Sequence, residues 1–318
     1  MFLIFMLYAL FASTFILGKE AVLLVPPVFF IGIRMIIASV LLLGFLVVTK
    51  RKIPHIAWSH APWFAGIIIF HIYGAYVLEY ISLQYLTSAK TCLLYNLSPF
   101  ITALLSYLFF SEIMTARKWI GLLIGFVAFI PTLVVQTLQE EKLGEFCGFI
   151  SSAELILIIS ITFSCIGWIF MRKLTREHEY SYFFVNTVGM LGGGILALIT
   201  SAGVFDRLLG VCGISGCREN WPVLRDLMSN YPFLCSLFSL IFIGNIVCYN
   251  LYGKLLHTYS TTVLSFFGFF TPLFAALFGW VWFGDSVHYS FFITISLVIC
   301  GLYLFYKEEL KLGYILKR

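Results

Sequence analysis

Apolar residues run along this chain in unbroken stretches of roughly 20, separated by short polar gaps, and that length matches the hydrocarbon core of a bilayer. Ten such stretches predict ten helices. The first runs from Met1 to about Gly18, the second from Pro27 to Val48 and the third from Pro62 to Ile81. The fourth covers Thr87 to Phe110 and the fifth Lys118 to Leu138. After the polar run Glu140-Glu141-Lys142 come Ser151 to Met171, Tyr180 to Gly203, Tyr231 to Gly253, Ser260 to Gly284 and Val287 to Tyr306. Only Asp285 and Ser286 divide the last two. Because apolar residues do not alternate with polar ones, barrel strands are excluded. The first stretch has no basic lead-in, and its small residues Ala12 and Ser13 lie inside the apolar run, so it reads as a span and not as a cleaved signal.

Composition supports the same class. Of 318 residues, 61% are hydrophobic and 11% charged, against about a quarter charged in soluble proteins. A soluble domain of that make-up would expose large apolar patches. The net charge of +5 does not point to nucleic acid, because the cations are scattered through the gaps and form no basic patch. With the N-terminus inside, cytoplasmic segments hold thirteen of the 20 basic residues, among them Lys50, Arg51, Lys52, Arg117, Lys118, Arg172, Lys173 and Arg176. That bias predicts a multi-pass protein of the inner (plasma) membrane, in contact with lipid, with both termini cytoplasmic.

The chain also repeats itself at an offset of 173. Ser98-Pro99-Phe100-Ile101-Thr102-Ala103-Leu104 matches Thr271-Pro272-Leu273-Phe274-Ala275-Ala276-Leu277, and each proline is followed 13 residues later by an acid, Glu112 or Asp285. Thr87-Ser88-Ala89 aligns with Ser260-Thr261-Thr262. The fourth span therefore corresponds to the ninth, and the unit is five helices. An odd number of spans forces the two copies into opposite orientations, an arrangement used by alternating-access transporters. The expected organisation is a first repeat over 1–138, a linker over 139–150 and a second repeat over 151–318 that carries an extracytoplasmic loop, 204–230.

Charges inside a bilayer are costly, so they are candidates for function. Arg34 lies about two turns into span two, Glu79 near the outer end of span three and Lys90 one turn into span four. All three fall in the same outer third, where two cations and one anion would favour a substrate carboxylate or phosphate, with Glu79 steadying a cation or receiving an amine. Helical spacing puts His71 and Tyr76 on the face of Glu79, and Thr91, Tyr95, Ser98 and Thr102 on that of Lys90. Asn245, Tyr249 and Tyr252 align in span eight; Glu154, Cys165 and Trp168 align in span six. These faces are expected to wall a cavity whose aromatics can stack on a planar or cationic group. Pro99 and Pro272 are expected to break their helices and free carbonyls there.

Other motifs carry less. Gly213-Ile-Ser215-Gly216 resembles a membrane serine protease motif but sits in a polar loop with no suitably placed histidine. Cys212 and Cys217 share that loop, either bridged or as two thiols. The other cysteines show no metal spacing, and no glycine-rich phosphate loop is present. No catalytic residue, metal or cofactor is expected, and a polytopic enzyme is disfavoured.

The chain resembles the EamA-like members of the drug/metabolite transporter superfamily. The resemblance rests on Phe11-Ala-Ser-Thr-Phe-Ile-Leu-Gly-Lys19, on Pro26-Pro27 with Gly32-Ile-Arg34-Met35, on Ser98-Pro99-Phe100 with Glu112, and on Thr271-Pro272 with Asp285. It departs at Asp285, where the family usually has Glu, and in the long 204–230 loop. The resemblance implies two five-helix repeats and a secondary carrier of a small zwitterionic or anionic metabolite, working alone or as a homodimer. Within the superfamily, carriers that exchange S-adenosylmethionine for S-adenosylhomocysteine are one candidate: the carboxylate would meet Arg34 or Lys90, the amine Glu79 and the adenine the aromatic walls. The alternative is a drug or toxic-metabolite exporter of the same fold, which would want a broad apolar cavity without charges.

Overall fold

The computed structural model describes residues 2–22, 24–51, 53–128, 152–201, 231–278, 280–281 and 289–314. The linker 139–150, the 204–230 loop with Cys212 and Cys217, and Asp285 lie outside the described residues. The regular structure among the described residues is all helical. We number the rods α1 (Phe2–Val22), α2 (Pro27–Val48), α3 (Trp58–Tyr85), α4 (Ser88–Leu94, Tyr95–Leu97 and Ser98–Phe110 in succession), α5 (Ala116–Val127) and α6 (Ser152–Glu177). Next come α7 (Tyr182–Ser201), α8 (Phe233–Leu256), α9 (Thr261–Phe278) and α10 (Tyr289–Lys311). Among the described residues, 8 helices are long and apolar enough to cross a membrane; α5, described over 12 residues, and α10 are not among them.

Local chemistry places the ends. Pro27 opens α2, where its missing N–H leaves no bond unmade. Thr87 and Ser260 cap α4 and α9, accepting from the N–H groups of Lys90 (3.2 Å) and Val263 (3.1 Å), two positions that are themselves 173 apart. Each of these helices then tightens into a 3-10 turn, Tyr95–Leu97 or Phe267–Phe269, just before its proline. At the end of α4, Ser111 takes a left-handed conformation (φ 53°), and this turns Glu112 back towards the bundle.

Close glycine contacts join the helices. The helix α2 lies along α7, where Gly32 sits against Leu198 and Gly194 against Met35 and Ile36. In the same way α5 lies along α10, with Gly121 and Gly301 backbone to backbone. A Cβ at Gly121 would stand 2.7 Å from the Gly301 carbonyl, so the contact needs both glycines. Further contacts join α3 to α6, α1 to α8, α4 to α6, α1 to α9 and α4 to α9. Exchanging helix n with helix n+5 maps this set of contacts onto itself. Leu41, Val47, Leu104, Leu108, Leu123 and Phe242 point outward and are exposed, which suits lipid and not water.

At the end of the bundle holding the start of α9, two buried ion pairs cross between the halves. Glu112 meets Arg172 of α6 at 2.6 Å, and Lys118 of α5 meets Glu309 of α10 at 2.5 Å. The cap of α9 lies among them. Ser260 donates to Glu309 (2.7 Å), Thr261 accepts from Arg172 (3.4 Å) and Thr262 donates to Glu112 (3.5 Å).

Candidate functional site

Seven helices enclose a cavity of about 900 Å³, part of it open. Its walls come from both halves: α1 to α4 supply Tyr8, Phe11, Arg34, Tyr76, Glu79, Tyr80, Tyr95, Ser98 and Thr102, and α6, α8 and α9 supply Ser164, Cys165, Trp168, Tyr249, Tyr252, Ser265, Gly268 and Thr271. The hydroxyl of Tyr8 donates to the carbonyl of Leu264, tying α1 to α9 one turn beyond the ionic layer.

Arg34 is the buried cation of the cavity. Its Nε donates to Asn245 Oδ1 at 2.7 Å and its Nη1 to the Tyr80 hydroxyl at 2.5 Å. The guanidinium also lies over the rings of Tyr76 (5.1 Å) and Tyr80 (5.6 Å). Every one of these partners is neutral. Among the described residues, no carboxylate comes within ion-pair distance (4 Å) of it. Glu79, one helical turn from Tyr76, instead accepts a hydrogen bond from Tyr95 at 2.8 Å.

The aromatic wall lies deeper. Trp168 stacks on Tyr252 with ring centroids 3.7 Å apart, and Tyr249 stacks on Tyr76 at 5.9 Å. Behind them His71 is fully buried against Trp168 (4.4 Å) and Tyr249 (5.1 Å). Its imidazole fits only because residue 167 is glycine: a Cβ there would stand 2.1 Å from Nδ1.

Of the residues expected at the site, Arg34, Glu79, Tyr76, Tyr95, Trp168 and Tyr249 line the cavity, and Asn245 stands behind Arg34. Pro99 and Pro272 lie in α4 and α9 beside the lining residues Ser98 and Thr271. Lys90 does not belong with them, and the expected meeting with Arg34 and Glu79 is corrected. Its side chain is 53% exposed and pairs with Glu154 at 2.7 Å. The reason is positional: Thr87 caps α4, so Lys90 falls in the first turn, beside the first turn of α6, where Glu154 stands. The cavity thus holds one charge of each sign instead of a net positive charge.

Sequence reasoning also missed Tyr80 and Tyr8. A signal for Tyr80 was present, since it follows Tyr76 by one turn and Glu79 by one residue. For Tyr8, nothing nearby distinguished it from an interfacial tyrosine.

Comparison with known proteins agrees with this architecture. The model of the EamA-like transporter family matches residues 1–134 and 151–307. Proteins described as "S-adenosylmethionine/S-adenosylhomocysteine transporter" are 34% identical: one from Chlamydia muridarum covers 99% of this chain and 94% of its own length, and one from Chlamydia trachomatis covers 99% and 91%. An "uncharacterized inner membrane transporter" of Escherichia coli is 22% identical over 95% of the chain and 88% of its own. One crystal structure superposes with a TM-score of 0.69 over 98% of this chain and 97% of that one, at 14% identity, which establishes likeness of fold. The chain is a multi-pass membrane transporter and not an enzyme, and it belongs to the EamA-like transporter family.

Proposed function

We propose that the chain is a ten-span secondary carrier that exchanges S-adenosylmethionine for S-adenosylhomocysteine by alternating access, with both termini in the cytoplasm. The observation that carries this reading is a buried guanidinium with only neutral partners, close to a carboxylate, in an aromatic-walled cavity. A zwitterionic amino-acid head supplies both missing counter-charges: its carboxylate goes to Arg34 and its ammonium to Glu79. The adenine then stacks along Trp168 and Tyr252, and the sulfonium faces tyrosine rings, whose π surfaces accept a cation or a neutral thioether. The names of the relatives point to the same pair of ligands.

Support for alternating access is the contact pattern that exchanges helix n with n+5, as two inverted five-helix repeats would. In this reading the Glu112–Arg172 and Lys118–Glu309 layer is the cytoplasmic gate, and the cavity serves the other side. Breaking both pairs would open the opposite path. A drug exporter would not need Arg34 or Glu79.

Counterflow tests this reading. Proteoliposomes loaded with S-adenosylhomocysteine should take up labelled S-adenosylmethionine faster than empty ones, and Arg34→Gln should abolish the difference. Uptake indifferent to the internal ligand, or blocked equally well by hydrophobic cations that lack a carboxylate, refutes it.

A further inference from the structure

Asn245 meets Arg34 in an unusual way. It is 0% exposed, and its Oδ1 takes the Nε–H bond while its Nδ2 is turned to two thioethers, Met35 Sδ at 3.0 Å and Met190 Sδ at 3.9 Å. Arg34 has only donors, so the amide must present its oxygen, and sulfur, a weak acceptor, is all that its NH₂ group finds. The orientation is therefore set from both sides. Asn245 lies in the π-helical stretch Leu240–Cys248, where a widened turn also brings up Gly244. A Cβ at Gly244 would stand 2.9 Å from Arg34 Nη2, so the glycine leaves that end of the fork clear. Among the described residues, Nη2 makes no hydrogen bond.

An aspartate is nearly the same size as an asparagine and would sit at the same 2.7 Å. It would complete a buried ion pair with Arg34 and use up the guanidinium. The residue present holds Arg34 as firmly in geometry but leaves its charge unspent, a costly state inside a bilayer. The contact also joins the two halves of the chain, since Arg34 lies in the 1–134 match and Asn245 in the 151–307 match.

We propose that Asn245 sets the charge selectivity of the carrier: it positions Arg34 without neutralising it, so that a carboxylate on the substrate is required for tight binding. This rests on the reading that Arg34 receives the substrate carboxylate. Asn245 is a positioning residue and does not itself touch the substrate.

The test compares labelled S-adenosylmethionine with its decarboxylated analogue, which keeps the adenosyl, sulfonium and amine groups and lacks only the carboxylate. Affinities are measured by competition on the purified full-length parent, on Asn245→Asp and on Asn245→Ala. The parent should prefer the carboxylate form by at least about tenfold, the scale of one hydrogen-bonded charge pair. In Asn245→Asp the built-in anion should reduce that preference to about threefold or less, mainly by weakening the carboxylate ligand. In Asn245→Ala the carboxylate ligand should lose affinity while the analogue changes little, and this variant decides the matter if the aspartate protein does not fold. An Asn245→Asp protein with the parent's preference, or an Asn245→Ala protein that loses both ligands equally, overturns the proposal and leaves Arg34 as the carboxylate site. A parent that does not distinguish the two ligands overturns the reading of Arg34 itself and the proposal with it.

Discussion

Replacing Arg172 by methionine removes the guanidinium that faces Glu112 at 2.6 Å, and it leaves a carboxylate whose side chain is only 4% exposed. The arginine also lies 4.1 Å from the Phe110 ring and bonds Thr261, so little water reaches it. Breaking a buried pair from one side typically costs about 3–5 kcal/mol, because the remaining charge has lost its partner without regaining solvent. The weak 3.5 Å bond from Thr262 recovers little of that. Removing both charges, as in Glu112→Leu with Arg172→Met, should return stability to within about 1 kcal/mol of the parent, since neither charge is then stranded. A double-mutant cycle read by thermal unfolding in one detergent measures the difference. The same variants test the gate. In a protein keeping only Cys165, a cavity-lining thiol, a membrane-impermeant maleimide should label from the cytoplasmic side more readily once the pair is broken. An Arg172→Met variant costing less than about 1 kcal/mol would show the pair to be hydrated. Unchanged Cys165 reactivity would remove it from the gate.

Other outcomes follow from the same geometry. Lys90→Ala should change stability by no more than about 1 kcal/mol and leave substrate affinity within about twofold, because the lysine is half-exposed and pairs with Glu154 away from the cavity; a loss of binding would return Lys90 to the site. Gly167→Ala should drive a methyl into His71 and displace Trp168, lowering affinity for adenosyl ligands more than for the free amino acid; equal losses would point to general misfolding. Glu79→Gln should weaken binding of the amine-bearing substrate by about tenfold or more while expression stays normal, and parental affinity would exclude Glu79 as the ammonium partner. Tags at Lys52 and Arg176 should report the cytoplasm and one at Ser215 the outside; finding Lys52 and Ser215 on one side would end the inverted-repeat reading.

What the sequence by itself determined is what depends on near neighbours and on solvent. Continuous apolar runs of bilayer length made the helices, and the Thr87 and Ser260 segments already aligned as helix entries. The matching Ser-Pro and Thr-Pro segments suggested a duplication, because both segments start a helix, tighten it and continue past a proline. Arg34 and Glu79 stood out as intramembrane charges on cost alone. Which group each charge would meet was decided only by the tertiary structure. Arg34 finds Tyr80 46 residues away and Asn245 211 residues away, and Glu112 finds Arg172 across the boundary between the halves. Lys90 lay at the right depth, yet the position of its helix start directed it to Glu154 and out of the cavity. Helical periodicity fixes which residues share a face, but the rotation and height of one helix against another are set by close packing at contacts such as Gly32–Leu198 and Gly121–Gly301. Those contacts join residues more than 150 apart in sequence, and nothing in a local pattern encodes them.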